Sequence, residues 1–178
     1  MRELTEIRWH ARAGQGAKTA AQILALALLR DGKGVQAFPE YGPERRGAPL
    51  RAFTRISDRP VRRHDSITDP DFVVVLEPSL VRDAGVADGL DPDGLVVFNG
   101  ETAPTELDGV RVRCVPATRL AGTLGSTFVN IVMLGAVAAA LGQPKLERLR
   151  EAAVETLGGK VDSGSLDRAL AEGYAWLS

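Results

Sequence analysis

Cysteine and histidine are almost missing from this chain, which holds one cysteine, Cys114, and two histidines, His10 and His64. One cysteine cannot form a disulfide within the chain, hold an iron–sulfur cluster or complete a zinc-finger site. Cys114 lies in a valine-rich stretch, where a small buried side chain is expected. We therefore predict no metal site, and any redox centres that the protein works with belong to other chains.

Long apolar runs and an excess of one charge are also missing. The most apolar stretch, residues 128–141, is shorter than the ~20 residues that a membrane-spanning helix needs. The first residues lack the apolar segment of a signal peptide. A net charge of −1 gives no general attraction to nucleic acid or to anionic membranes. We expect a cytoplasmic protein with no membrane insertion and no nucleic-acid partner.

What is present is the composition of a globular domain, with 44% hydrophobic and 25% charged residues in 178. No repeat or long linker divides it, so we predict a single domain over residues 1–178. Apolar patterning alternates between strand and helix periods. It predicts strands at 4–10, 34–38, 50–56, 61–63, 72–76, 93–100 and 110–115, and helices at 20–30, 117–124, 127–141, 144–157 and 166–177.

The order of these elements predicts the fold class. The first strand, helix and second strand form a βαβ unit, which implies a parallel pair. Residues 50–56 and 61–63 flank a turn and are predicted to pair as a β-hairpin. The run 72–76 is apolar on both faces, as in the middle of a covered parallel sheet. We predict an α/β, Rossmann-like layered sheet of five or six strands, mostly parallel with one hairpin, with helices on both faces and a helical C-terminal third.

A glycine turn, Gly14-Gln15-Gly16, joins the first strand to the first helix. Glycines allow a sharp turn and a close approach to the helix N-terminus, where the positive end of the dipole suits an anion. The dinucleotide fingerprint nevertheless fails at Thr19, and a P-loop fails because Ala17 precedes Lys18. The turn is therefore either a nucleotide site or simply a tight strand-to-helix connection.

The segment 39–49 is the second distinctive stretch, with three prolines and two glycines that indicate an irregular loop. It follows the carboxyl end of a strand, the edge at which ligands and partners bind to α/β sheets. Adjacent arginines, Arg45 and Arg46, can hold a carboxylate or phosphate. The alternative is a solvated loop in which Glu40 and Glu44 pair with the arginines, although Tyr41 favours an interface.

Four stretches together resemble one family. They are ARAGQGAKTA at 11–20, AFPEYGPERRGAP at 37–49, RAFTRI at 51–56 and NIVMLGA at 130–136. They are similar to the gamma subunits of 2-oxoacid:ferredoxin oxidoreductases, whose first turn usually reads GRGGQG. Here Ala11 and Ala13 stand at two of those glycines.

The resemblance implies a function within a complex. Such enzymes use thiamine diphosphate, Mg²⁺ and [4Fe-4S] clusters to convert a 2-oxoacid and CoA into an acyl-CoA, with pyruvate the commonest substrate and branched-chain or aryl oxoacids such as phenylglyoxylate also known. The gamma subunit binds none of these cofactors alone and packs with alpha, beta and delta subunits. Electrons leave through the complex to ferredoxin or another acceptor.

These arguments predict one surface that binds a cofactor or closes the active site, without catalytic residues of its own. Its predicted members are Gly14, Gln15, Gly16, Lys18, Glu40, Tyr41, Arg45 and Arg46. Two alternatives stay open, a stand-alone dinucleotide-binding protein and a purely structural scaffold. Three other polar residues are predicted to be structural: His10 as a hydrogen-bonded histidine, Glu77 as a helix cap or interface residue, and Asn130 as the residue that orients a helix.

Overall fold

One mixed, mostly parallel sheet of six strands organises the molecule. The computed structural model describes residues 3–40, 47–63, 65–82, 85–125, 127–158 and 161–178. The strands are β1 Leu4–Arg12, β2 Gly34–Glu40, β3 Pro49–Ser57, β4 Phe72–Val75, β5 Leu95–Asn99 and β6 Val112–Val115. Their order across the sheet is β2-β3-β1-β4-β5-β6, and β3 runs antiparallel to the other five strands.

The described part of the chain contains five α-helices, which follow the predicted positions closely. They are α1 Ala17–Arg30, α2 Ala117–Thr123, α3 Val129–Leu141, α4 Leu146–Leu157 and α5 Ser163–Leu177. Helix α5 starts three residues earlier than predicted because Asp162 caps it by accepting a hydrogen bond from Ser165 N at 2.7 Å. Two short 3-10 helices, Pro78–Val81 and Thr105–Leu107, complete the secondary structure of the described residues.

The two faces of the sheet are covered differently. Ile7, Trp9, Val74 and Val97 share one apolar core with all five α-helices. On the other face Val73, Val75, Val96 and Phe98 pack against residues of the two 3-10 helices and of the segments around them. Helices were predicted on both faces. The α-helices cover one face, and the two 3-10 helices together with irregular segments cover the other.

The predicted hairpin partner of β3 is wrong. Residues 61–63 form no strand, and β3 pairs with β1 on one side and β2 on the other. Both edges of β3 are therefore occupied, and a return strand would have no hydrogen-bonding edge to join. The hairpin of the fold is instead β2–β3, with β3 inserted between the two parallel strands of the predicted βαβ unit.

The irregular segment is shorter than predicted at both ends. Pro39 and Glu40 belong to β2, and Pro49 begins β3. Proline is tolerated in β2 because this strand lies at the edge of the sheet, where a missing N–H interrupts no central ladder. Within the described residues, no helix is both long and apolar enough to span a bilayer.

Candidate functional site

A cleft of about 590 Å³ opens at the carboxyl edge of the sheet. After β1 the chain crosses to β2 on one side of the sheet, and after β4 it crosses to β5 on the other side. The cleft lies at this reversal of direction, beside the ends of β1 and β4. In open α/β sheets this switch point is the usual position of a ligand. Its polar lining is Gly14, Gln15, Gly16, Thr19, Glu77, Asn99, Thr118, Thr127 and Asn130, and its apolar lining includes Leu76, Pro78, Phe128, Ile131 and Leu157.

The glycine turn forms one wall of the cleft, and its conformation requires glycine. Gly14 has φ 97° and Gly16 has φ 79°, in the left-handed region that side chains disfavour. A Cβ on Gly16 would also lie 2.4 Å from Asn130 Nδ2, which donates a hydrogen bond to Gly16 O at 3.3 Å. The turn and the first residues of α3 are thereby held together, in agreement with the predicted role of Asn130.

Glu77 lies opposite the turn, two residues beyond the end of β4. Its Oε2 accepts a hydrogen bond from Gln15 Nε2 at 2.6 Å, and its Oε1 accepts from Ser79 N at 3.2 Å and Ser79 Oγ at 2.7 Å. Burial by itself raises the pKa of Glu77, but the hydrogen bonds from Ser79 and Gln15 outweigh it and the pKa is lowered. The carboxylate is therefore charged at neutral pH, and it caps the 3-10 helix as predicted.

Arg12 ties the turn to two other segments. Its Nη1 donates to Gly47 O at 3.1 Å and its Nη2 to Ser79 Oγ at 3.0 Å, while its backbone N donates to Gln15 Oε1 at 2.7 Å. The backbone of the next residue also donates to Ala48 O at 3.0 Å. The described end of the proline-rich loop thus returns beside the glycine turn. Arg12 was not predicted as a site residue and entered the sequence analysis only as part of the family-like stretch 11–20.

Asn99 fixes the floor of the cleft and was not predicted as a site residue. This buried side chain donates from Nδ2 to Leu76 O at 2.9 Å and to Thr118 Oγ1 at 3.0 Å, and its Oδ1 accepts from Thr118 N at 3.2 Å. It therefore joins the ends of β4 and β5 to the start of α2. The three segments are far apart in the sequence, so only the strand order, which brings these ends together, could have indicated the contact.

The predicted site residues divide into three groups. Gly14, Gln15 and Gly16 line the cleft. Lys18, exposed in the first turn of α1, and Glu40 are not among the lining residues. Glu40 lies at the end of β2, where Arg51 Nε approaches it at 2.6 Å and Ser66 Oγ donates to it at 2.9 Å. The remaining predicted residues, Tyr41, Arg45 and Arg46, lie outside the described residues.

His10 is a structural residue, as predicted, on the face of the sheet away from the α-helices. It is 2% exposed, and its Nε2 accepts a hydrogen bond from Arg8 Nε at 3.1 Å. Burial, together with the charges of Arg8 and Arg51, lowers the pKa of His10 to about 3. The imidazole is thus neutral and serves as an acceptor for the buried Arg8 guanidinium.

The donor chemistry of the described chain suits hydrogen bonding rather than metal ligation. Among the described residues, no three His, Cys, Asp or Glu side chains are grouped as a metal site requires. Burial raises the pKa of the Cys114 thiol, which disfavours the thiolate that ligates metals. A cluster-ligating role does not fit this single thiol.

Comparison with known proteins identifies relatives that align with nearly the whole chain. The family model of pyruvate ferredoxin/flavodoxin oxidoreductase matches residues 6–175. Pyruvate synthase subunit PorC of Methanothermobacter thermautotrophicus is 47% identical over 93% of this chain and 92% of its own length. The common gamma subunit of pyruvate/ketoisovalerate oxidoreductases of Thermococcus kodakarensis is 48% identical over 88% of each chain.

Solved structures share the fold. The pyruvate oxidoreductase subunit PorC of Thermotoga maritima superposes with a TM-score of 0.84 and 36% identity, covering 98% of this chain and 97% of that one. The 2-oxoglutarate:ferredoxin oxidoreductase of Magnetococcus marinus also gives a TM-score of 0.84, over 99% of this chain and 31% of that one, at 20% identity. The latter likeness concerns the fold alone. The resemblance found in the sequence is confirmed by the family match and the close relatives, and the chain belongs to the pyruvate ferredoxin/flavodoxin oxidoreductase family, as a protein of the gamma-subunit type.

Proposed function

We propose that this chain is the gamma subunit, without clusters of its own, of a thiamine diphosphate- and [4Fe-4S]-dependent 2-oxoacid:acceptor oxidoreductase that forms an acyl-CoA. Pyruvate is the favoured oxoacid, since the named relatives are pyruvate synthase or pyruvate/ketoisovalerate oxidoreductase subunits. The proposed partners are thiamine-binding alpha and beta subunits and a cluster-bearing delta subunit. The proposed location is the cytoplasm.

The cleft at the carboxyl edge is the observation that carries this proposal. It is bordered by a glycine turn whose conformation is fixed by Asn130 and Gln15, and beside it the described end of the proline-rich loop is held by Arg12. Such a rigid, concave and partly polar edge suits a partner surface and the passage of a co-substrate between subunits. We assign it to closure of the active site and to the CoA entrance.

The residues of this chain contribute positioning and exclusion of water. Thiamine diphosphate, bound by the partner subunits, supplies the decarboxylation chemistry. Gln15, Glu77 and Asn99 have hydrogen-bond partners within the chain, so the cleft wall needs little reorganisation when a partner docks. A docked partner would cover the cleft and exclude water from the reaction. Arg45 and Arg46, together with Lys18, stay our predicted anion or subunit contacts.

The test begins with a purification through a tag on this chain in its native host. We expect larger chains to copurify with iron, sulfide and thiamine diphosphate, and an oxoacid screen to show CoA-dependent turnover with pyruvate first. Arg45→Ala/Arg46→Ala should weaken assembly or raise KM for CoA, whereas Arg59→Ala, at a side chain 79% exposed, should change neither. A lone, colourless chain that binds NAD or FAD would overturn the proposal in favour of a dinucleotide-binding protein. If assembly and turnover are both unaffected by the loop variants, the loop is only a solvent-exposed surface and contacts neither an anion nor a partner subunit.

A further inference from the structure

The two edge strands of the sheet, β2 and β6, are protected from further pairing to different degrees. β6 has four residues, with the exposed Arg113 among them, and its Cys114 O accepts a hydrogen bond from Trp176 Nε1 at 3.0 Å. Short length, charge and covering side chains are the usual means by which proteins keep an edge strand from pairing with another chain. β2 has seven residues and carries no charged side chain before its last residue, Glu40. It is therefore the less protected edge.

The hydrogen bonds of β1 determine the direction of the backbone groups in the neighbouring strands. Glu6 O and His10 O accept from N–H groups of the residues that flank β4, at 2.9 Å each. Because these groups alternate in direction along a strand, Ile7 directs its own towards β3. Ile7 lies opposite Thr54, and the backbone groups of the next residue, Arg55, therefore point away from β1 and towards β2.

The same alternation continues into β2. Arg55 lies opposite Gln36, so Gln36 and every second residue of β2 pair inward. The residues that direct their backbone groups out of the sheet are Val35, Ala37 and Pro39. Since proline has no N–H, the outward groups are two donors and three carbonyl oxygens. Within the described residues, none of these five groups has a hydrogen-bond partner.

We propose that β2 is an interface between two copies of this chain, paired antiparallel about a two-fold axis at Gln36. In this register Val35 lies opposite Ala37 of the second copy, and the two residues exchange both N–H···O bonds. The axis repeats the exchange, so four hydrogen bonds form and the six strands of each copy join into one sheet. The interface adds to the proposed function a contact between copies, along the side of the sheet rather than at the ends of its strands.

The outward groups of β2 select this register. With the axis at Gln36, every outward donor and acceptor of Val35 and Ala37 is used, and pairing ends at Pro39, which has no N–H for the next pair. With the axis at Ala37, Val35 O would lie opposite Pro39 and would receive no donor. The two-fold pattern of free groups is therefore complementary to itself.

The charges at the two ends of β2 also favour a second copy. Lys33 precedes the strand and Glu40 ends it, so antiparallel pairing brings Lys33 of one copy beside Glu40 of the other. Both have an ionic contact within their own chain, so their charges set the direction of pairing rather than its strength. The equivalent pairing of β6 would place two copies of Arg113 opposite each other, where like charges repel.

The test uses the full chain alone, in sedimentation equilibrium. We expect a monomer–dimer equilibrium with a dissociation constant of roughly 10–100 µM, since four hydrogen bonds in a small interface give weak association. Ala37→Pro removes one outward N–H from each copy, and so two of the four bonds, without breaking a bond of the sheet. It should raise the dissociation constant about thirtyfold.

Val112→Pro is the matched control on the other edge. Arg111 O and Val115 O accept from the β5 side, so the N–H of Val112 points outward from β6. Its removal should leave dimerisation unchanged. Circular dichroism should show that both variants keep the wild-type fold. Equal dimerisation of Ala37→Pro and wild type would overturn the inference.

Hydrogen exchange of the wild-type chain keeps the test decisive if Ala37→Pro does not fold. Measured by mass spectrometry, the outward amides of β2 should exchange about fivefold more slowly at ~1 mM than at ~10 µM, whereas those of β6 should not change. A monomeric chain, or equal exchange of β2 at both concentrations, would overturn the inference. Protection of β2 only in a complex with other subunits would also overturn it and would assign the edge to a partner strand. The result for the chain alone does not depend on whether the proposed complex forms.

Discussion

The two faces of the sheet are stabilised by different chemistry. Towards the α-helices the face is apolar, and Ile7 and Trp9 of β1 are fully buried in one continuous core. On the other face the neighbours of these residues in the same strand, Arg8 and His10, are buried as well. Burial on the first face depends on shape, whereas on the second face, beside the apolar residues of β4 and β5, the burial of these β1 residues depends on satisfying every polar group.

A charged side chain can be buried on the polar face because its donors all have hydrogen-bond acceptors. Arg8 donates to the backbone oxygens of Ile67, Thr68, Val86 and Asp88 and to His10 Nε2. It thereby anchors two irregular segments that cover the sheet where no α-helix does. The comparison teaches that, next to the apolar packing on β4 and β5, the part of this face formed by β1 is closed by one guanidinium, whose planar fork of donors suits carbonyls from separate segments.

Arg55 repeats the pattern on β3. Its side chain is fully buried, with Nε 2.7 Å from Glu6 Oε1, Nη1 donating to Gln36 Oε1 at 3.1 Å and Nη2 to Asp65 O at 2.8 Å. Its guanidinium also lies 5.5 Å from the ring centre of Phe38. Glu6 compensates the charge through an ionic contact, whereas no carboxylate of the described residues lies within 4 Å of the Arg8 guanidinium.

Removing the Arg8 guanidinium should produce the largest effect. We expect Arg8→Met to lower the free energy of unfolding by about 3–5 kcal/mol, because it leaves several buried carbonyls without donors. Urea unfolding measures the change. Arg59→Met is the matched control at a highly exposed arginine paired with Glu3, and should cost less than about 1 kcal/mol. A similarly small loss for Arg8→Met would mean that water satisfies the carbonyls.

The sequence predicted the apolar face far better than the polar one. Periodicity located α1 and α3 and the buried strands β4 and β5, because apolar spacing directly reports burial against a helix layer. Residues 50–56 alternate apolar with polar in the sequence, yet Ala52–Ser57 are buried throughout in the structure. A buried arginine cannot be recognised locally, since its partners Glu6 and Asp65 come from other segments. For the same reason the partner strand of β3 was misassigned.

The sequence predicted only the part of the site that lies within a single segment of the chain. The glycine turn was located because positive φ needs glycine at fixed positions, and both Gly14 and Gly16 have it. Asn99 and Thr118 contribute through contacts between strand ends, which depend on strand order rather than on any local pattern. Arg12 was not predicted as a site residue, because the glycines that follow it form the more recognisable sequence pattern.

The helical face should be most sensitive to added volume. Gly173 of α5 packs on α3 so closely that a Cβ would lie 1.8 Å from Val132 O. We expect Gly173→Ala to lower the free energy of unfolding by about 1–3 kcal/mol, because the two helices must separate. Gly122→Ala in α2, where nothing lies within 4 Å, should be neutral or stabilising by up to about 1 kcal/mol. Equal effects at both positions would show that the α3–α5 contact is loose.

Mild acid should weaken the polar face through His10. The pKa of His10 is about 3 in the folded chain, below the ordinary histidine value of 6.5, so between these values the unfolded chain binds a proton that the folded chain does not. Stability is therefore unaffected by this group above pH 6.5 and falls as pH falls, by at most about 1.4 kcal/mol per pH unit. We expect urea unfolding between pH 6.5 and 4.5 to show this slope.

The matched variant is His10→Gln, which cannot titrate but keeps an oxygen that can accept from Arg8 Nε. Its unfolding free energy should show a flatter pH dependence than wild type over the same interval. Carboxylates with lowered pKa values, such as Asp65 and Glu77, lose charge mainly below that interval and are common to both proteins. Parallel curves would place a water or a charge beside His10 and would contradict its neutral, buried state. Diverging curves would confirm that, unlike the apolar core, this face of the sheet is held by a hydrogen-bond network that requires a neutral imidazole.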